Sequence, residues 1–374
     1  MFTPIHTFAG GLLLHLSTAS LLDNNGRVFG GSSILYEAIY GDHAPWRWIL
    51  LGGMLIAPKL NAVFQPLASL LLVHAPKVVE PVPDVDSSVL KLIIAGCLVG
   101  FGSKLGSGCT SGHFLCGVSR LSPRSLVATM TFFSIAVLTA FLSASTTGPA
   151  LANGAIPSYT PLLPTSAEFV ALVALLLAHF TLHHTVSRLP ARTSALKKTL
   201  IALLSGLTFA TGLQLSGMSR PIKVLRFLHL PIPGLFSLAE WDPSLFMVVL
   251  GGIVPNAIHY RFRVRPALEE QERNTQAKKT DEGSWSRNGH QAVAPASKAS
   301  VKYYLPNKIQ SAKIDTRLVT GAAIFGLGWG MTGTCLLPSV VNAGNALFGL
   351  TPTPGSAVAF MASVIAGLGL GGLV

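Results

Sequence analysis

The chain has 374 residues, half of them hydrophobic and only 11% charged, with a mean hydropathy of +0.54. That balance excludes an ordinary water-soluble domain or soluble enzyme and places the chain in a lipid bilayer. The formal charge of +12 is mostly a topology signal, because the basic residues cluster in loops between apolar runs.

Windows of about 18–20 residues predict full spans near 4–22, 47–73, 88–105, 124–145, 167–186, 197–216, 243–262, 316–333 and 354–373. Shorter apolar pieces near 28–40, 111–120, 219–229 and 337–349 fall short of a hydrocarbon core of roughly 30 Å. They read as half-helices dipping in from one side. The first run resembles the apolar core of a secretion signal, but no basic residue precedes it, and it is expected to be retained as a span. Residues 261 to 317 hold twelve of the 27 Lys and Arg and include the one polar, low-complexity stretch, LEEQERNTQAKKTDEGSWSRNGHQ. That composition predicts a solvated, disordered linker over 263–312. Its interleaved Glu residues and its place between spans argue against a nucleic-acid partner.

The positive-inside rule puts that linker in the cytoplasm. The loops with Lys104, Arg120 and Arg124, and with Arg188, Arg192, Lys197 and Lys198, then fall inside, whereas Glu80, Asp84 and Asp86 fall outside. The N-terminus is expected outside and the C-terminus inside, in a plasma or inner membrane. Arg220, Lys223 and Arg226 break the rule by landing outside. They stand three apart on the short helix after SGMSRP, and its counterpart in the first half follows Arg27. The two copies are offset by five spans, an odd number, and so must have opposite orientations. The expected fold is therefore an all-α integral membrane protein with about nine transmembrane helices plus four re-entrant half-helices in two inverted repeats. The first repeat covers 1–146, a connecting span 147–190, and the second repeat 191–262 with 313–374. Such half-helices direct their N-termini, the positive dipole ends, toward a central anion. The basic trio and Arg27 are read either as an anion-steering funnel or as side chains snorkelling to the interface.

One pattern recurs in the two halves. GFGSKLGSGCTSGH ends its glycine run in Cys109, and GLGWGMTGTCLLPS ends the equivalent run in Cys335. Glycine lets a helix break or a backbone approach a ligand closely. Paired breaks in corresponding halves mark the central site of a repeat-built transporter. Thr110, Ser111 and His113 would stand at the start of the first half-helix, where unsatisfied N–H groups and hydroxyls can hold a ligand or simply cap the helix. Asn342 occupies the matching half-helix after Pro338. Cys116 is read as either a site residue or packing, and Cys97 as packing.

These residues resemble a known family. LIIAGCLVGFGSKLGSGCTSGHFLCGVSRLSPRSLVATMTFF is similar to the characteristic motif of the YeeE/YedE sulfur-transport family, whose best-understood members import thiosulfate. NNGRVFGGSSILYEAI and WRWILLGGMLIAP continue the likeness upstream. LQLSGMSRPIKVLRFLHL, WDPSLFMVVLGG and IDTRLVTGAAIFGLGWGMTGTC resemble companion half-size proteins, so the chain looks like a fusion of the two. The resemblance implies a pore pinched at its middle, in which Cys109 and Cys335 relay thiosulfate inward by transient S–H hydrogen bonds. A soft, charge-diffuse sulfur suits a weak thiol donor, and weak contacts let the substrate leave. Family importers carry a further cysteine near the first half-helix; here Gly30, Gly31, Ser32 and Ser33 stand in that region.

No cofactor or metal is expected. Cys109, His113 and Cys116 supply only three potential zinc ligands. GFGSKLG lacks the Gly-Lys-Ser/Thr ending of a phosphate loop. The expected function is import of a small sulfur-containing anion, thiosulfate first, with that anion and the bilayer as partners and no enzymatic activity. A competing reading is a sulfur-handling protein that carries persulfide on Cys109 and Cys116 and passes it to a soluble sulfur-carrier protein. A membrane scaffold is the third reading.

Overall fold

The computed structural model describes residues 2–71, 88–147, 157–190, 193–233, 238–273, 303 and 314–374. The acidic loop 74–87 and most of 263–312 lie outside these. The described residues are helical, with no strand longer than an isolated bridge.

The helices in chain order are α1 (Pro4–Asn25), α2 (Gly31–Ile39), α3 (Pro45–Leu71), α4 (Val89–Leu105), α5 (Thr110–Gly117), α6 (Pro123–Thr147), α7 (Ser166–Ser187), α8 (Ser194–Ser216) and α9 (Pro221–Leu228). They continue with α10 (Pro243–Arg273), α11 (Thr316–Thr332), α12 (Leu336–Leu347) and α13 (Pro354–Leu373). Their ends follow local chemistry. Proline opens α1, α3, α6, α9, α10 and α13, where the missing N–H costs nothing. Glycines with positive φ, Gly26, Gly217 and Gly333, close α1, α8 and α11. Thr165 and Glu168 form a capping box at α7.

Among the described residues, seven segments are long and apolar enough to cross a membrane, and α4 joined to the bent segment after it makes an eighth. α3 also has the length, at 27 residues. With it, each expected span has a helix. The short helices α2, α5, α9 and α12 occupy the positions expected for half-helices. α4 and the α5 segment meet at a bend of 51°.

Helix pairing reveals the symmetry. α1 runs antiparallel to α8: Thr7 hydroxyl donates to Ser216 O (3.3 Å), Ser17 to Ser205 O (2.7 Å) and Asn25 amide to Lys198 O (3.0 Å). α4 is likewise antiparallel to α11, with Gly106 against Ala322, Gly102 against Phe325, and Gly328 against Ala95 and Val99. The remaining large pairings come as equivalents. α3 lies parallel to α8, and α10 lies parallel to α1. α4 lies parallel to α13, and α11 lies parallel to α6. Exchanging α1 with α8, α3 with α10, α4 with α11 and α6 with α13 leaves this set unchanged. A helix antiparallel to its own symmetry mate requires a two-fold axis perpendicular to both, which is the geometry of an inverted repeat.

Backbone contact at glycine holds the central layer together. A Cβ on Gly100 would collide with Val364 O and Leu368 N, and one on Gly367 with Cys97 O. Close backbone approach replaces the hydrophobic drive that lipid withholds. Gly100→Val is expected to destabilise the protein by about 1–3 kcal/mol through overpacking. Gly52→Ala, where no atom lies within 4 Å, should change stability little. Thermal unfolding in detergent micelles compares the two; equal midpoints would refute the backbone-packing account.

Candidate functional site

The half-helices meet head to head. Cys109 is the N-cap of α5 with extended backbone (φ −118°, ψ −168°), and Cys335 is the N-cap of α12 with nearly the same conformation (φ −102°, ψ 171°). N-cap side chains normally accept the N–H two or three residues on, and neither thiol makes that cap bond; the backbone groups beside the Cys335 thiol are those of Leu336 and, across the chain halves, Thr110. The first helical bonds run from His113 N to Cys109 O (2.9 Å) and from Ser339 N to Cys335 O (3.0 Å). The N–H groups of Thr110, Ser111, Gly112, Leu336 and Leu337 therefore have no partner within their helices.

Cys109 Sγ lies 3.3 Å from Ser111 Oγ, and Cys335 Sγ lies 3.0 Å from Thr110 Oγ1. The second contact joins the two halves of the chain. Ser111 Oγ also accepts from the Gly31 N–H at the start of α2 (2.9 Å), while Leu337 packs against Gly31. α9 completes the group, because Gly333, just before Cys335, abuts Pro221 O. The N-termini of α2, α5 and α12 thus meet at two buried thiols, 1% and 4% exposed, with the start of α9 against the turn just before Cys335. Aligned peptide dipoles make that centre favourable to an anion.

The other predicted residues separate around this cluster. His113 receives Ser125 Oγ–H at Nδ1 (3.2 Å) and donates from Nε2 to Gly106 O (3.1 Å). The carbonyl partner dictates which nitrogen holds the proton. The ring therefore clamps the bend between α4 and α5, and Gly108 is bare because a Cβ there would strike the ring. Cys116 donates to Phe29 O (3.6 Å) and lines a separate small cavity with Arg120, Asn256 and His259. It does not join the Cys109 cluster. Asn342 lines a cavity of about 60 Å³ with Thr332, Thr334, Ser339 and Asn345 on the side opposite the 263–312 linker. Its Oδ1 and the Nδ2 of Asn345 have no hydrogen-bond partner.

The basic residues differ in what holds them. Lys223 Nζ donates to the hydroxyls of Thr3 and Thr7, tying α9 to the start of α1. Arg220 and Arg226 are half-buried along the same short helix. Arg27 lies over the Trp46 ring at 5.7 Å on the linker side.

Two features escaped the sequence reading. The Gly31 N–H is part of the cluster, and its signal was the Gly-Gly pair at a half-helix start. A polar cavity of about 490 Å³ opens on the linker side, lined by Ser32, Ser33, Glu37, Lys104, Arg124 and Arg317 among others. In the sequence its basic residues carry a topology signal alone. Arg124 stands 3.8 Å from Asp315, linking α6 to the start of α11.

Residues 66–139 match the profile of a family described as Sulphur transport, and residues 197–277 match a family of unknown function, DUF6691. A probable transporter of Xylella fastidiosa (strain Temecula1) is 37% identical over 132 residues, which is 35% of this chain and 88% of that protein. A second probable transporter from the same strain is 32% identical over 171 residues, 45% of this chain and 84% of its own length. Each is a half-size protein beside this chain, which therefore corresponds to two of them fused.

His113→Ala removes both clamp bonds from a buried site, where each unsatisfied partner costs about 1–3 kcal/mol. The bend should fray, and a small thiol reagent should modify Cys109 at least tenfold faster than in wild type. An unchanged labelling rate would show that the clamp does not order the thiol site.

Proposed function

The chain is a multi-pass membrane transporter belonging to the sulphur transport family, and from that premise we propose that it imports thiosulfate past Cys109 and Cys335. The observation that carries this reading is the pair of N-cap thiols, set where half-helix N-termini converge. A dianion is stabilised there by backbone N–H groups and dipole ends, without a fixed cation that would trap it. The S–H groups donate weakly to the terminal sulfur, and the hydroxyls of Thr110 and Ser111 exchange partners as it passes. Family importers have a further cysteine near the first half-helix; in this chain the Ser111 hydroxyl held by Gly31 N–H fills that part of the path.

The route runs from the cavity of Thr332, Thr334, Ser339 and Asn342 to the thiols, then to the larger cavity of Lys104, Arg124 and Arg317. Neutral donors receive the ion and basic residues collect it. In this reading the linker side is cytoplasmic, with the N-terminus outside and the C-terminus inside. Arg220 and Arg226 steer anions to the outer mouth, whereas Lys223 mainly anchors α1. Inward movement of a dianion opposes a negative interior by roughly 2.3 kcal/mol per charge per 100 mV. The persulfide reading, which pairs Cys109 with Cys116, gains no support from the separate surroundings of the two thiols.

Uptake of sulfur-labelled thiosulfate is the direct test, in cells lacking their own importer and at matched expression. Cys109→Ala and Cys335→Ala should each lower uptake at least tenfold, and Cys116→Ala less than threefold. Full uptake by both of the first two variants would sink the thiol pathway. Tags near residues 85 and 285 should report opposite sides of the membrane, and a shared side would reverse the orientation argument.

A further inference from the structure

A cluster of titratable side chains lies between α1 and α10, outside the thiol path. His259 Nε2 stands 3.1 Å from the Asp23 carboxylate, and Arg263 Nε is 3.1 Å from the same group. His15, about two turns back along α1, holds Asn256 Oδ1 at 2.8 Å from its Nδ1, and Thr18 donates to that oxygen at 3.1 Å. The rings of His15 and His259 meet edge to face, 6.0 Å apart. Asn256 is only 7% exposed, and its Nδ2 has no partner. It borders the cavity of about 30 Å³ that Cys116, Ser119 and Arg120 line from behind α5. The cluster therefore adjoins the re-entrant segment whose N-terminus carries Cys109.

The inverted repeat supplies a built-in comparison. Asp23 stands three residues before Gly26, the cap of α1, and Gln214 three before Gly217, the cap of α8. His259 and Asn61 each stand sixteen residues after the proline that opens α10 or α3. Gln214 and Asn61 are hydrogen-bonded to each other at 2.7 Å. The same interhelical position thus carries neutral amides on one side of the two-fold and an imidazole–carboxylate pair on the other. Helix pairing alone is satisfied by amides. What the second pair adds is a proton.

We propose that His259 and Asp23, with the His15 ring edge to face against His259, form a proton site coupled to the anion at the thiol cluster, so that protons move with the transported anion. This rests on the thiosulfate-import reading above. With its Nε2–H directed at Asp23, His259 takes the proton at Nδ1; His15, donating from Nδ1, takes it at Nε2. A proton gained behind α5 offsets the charge of the anion at its N-terminus, and linkage makes the effect reciprocal. Protonated histidine is the ordinary carrier of such a switch near neutral pH, and ionisable side chains inside a membrane mark such relays. Other charged or titratable groups face the cluster. Arg120 approaches across the cavity and Tyr303 lies near Asp23 and Arg263. His183 bonds Ser20 on an adjoining face of α1, sharing Thr208 with His179, and Lys198 O receives Asn25.

The test uses the full-length protein in liposomes, with sulfur-labelled thiosulfate outside and a pH-sensitive dye inside. In wild type, an inward proton gradient of one pH unit should raise initial uptake at least threefold, and thiosulfate addition should acidify the lumen. The double variant H259N/D23Q copies the symmetry-equivalent amide pair, Asn61 with Gln214. It should keep downhill thiosulfate uptake while losing both proton effects, and H259Q and H15Q should each weaken them. Thiosulfate entry without lumen acidification in wild type, or a gradient response preserved in H259N/D23Q, overturns the proposal and leaves the import reading intact. Absence of thiosulfate uptake by wild type under every gradient overturns both.

Discussion

A helix that starts inside a bilayer leaves its first N–H groups in a medium without water to receive them, and this constraint shapes the molecule. Four such starts occur here, at α2, α5, α9 and α12, and the fold answers by directing them at one another. Ser111 takes the Gly31 N–H, Thr110 reaches Cys335 across the two halves, and Gly333 abuts Pro221. The dipole ends that remain make the centre a place for negative charge. In the proposed import of an anion, structural need and anion affinity have the same origin.

The surrounding helices keep that centre rigid by backbone contact rather than by large side chains. α4 lies between α11 and α13, and Gly96, Gly100, Gly102, Gly328 and Gly367 sit where a Cβ would meet the next helix. Close contact forfeits side-chain burial but fixes helix position tightly, because there is no flexible side chain to absorb a shift. Aromatic rings fill the wider gaps, with Phe132, Phe325 and Trp329 edge to face beside α11.

The two halves share a backbone plan but not a chemistry. Equivalent positions hold Cys109 and Cys335, yet the cavity on one side is small and lined by neutral polar groups, while that on the linker side is larger and charged, with Lys104, Arg124 and Arg317 beside Glu37 and Asp315. Asn61 with Gln214 on one side answers to His259 with Asp23 on the other. An inverted repeat presents equivalent backbone to both faces of the membrane. Direction must then come from side chains that differ between the halves, and these pairs are where they differ.

Much of this was legible in the chain itself. Apolar length determined the spans, glycine and proline marked their ends, and the echo of the Cys109 motif at Cys335 marked the repeat. Those features are local, and lipid enforces them by demanding apolar faces and satisfied backbone. Tertiary structure alone decided which residues meet. Sequence leaves Cys116 open between site residue and packing, and the turn of α5 sends its thiol to Phe29 O; it leaves His113 open between ligand contact and capping, and the fold sets the ring between Gly106 and Ser125. Lys223 looked like a steering charge and is bound to Thr3 and Thr7, more than 200 residues away. Side-chain partners across such separations depend on how helices cross and rotate, and a linear pattern records the face a residue occupies without recording what lies opposite it.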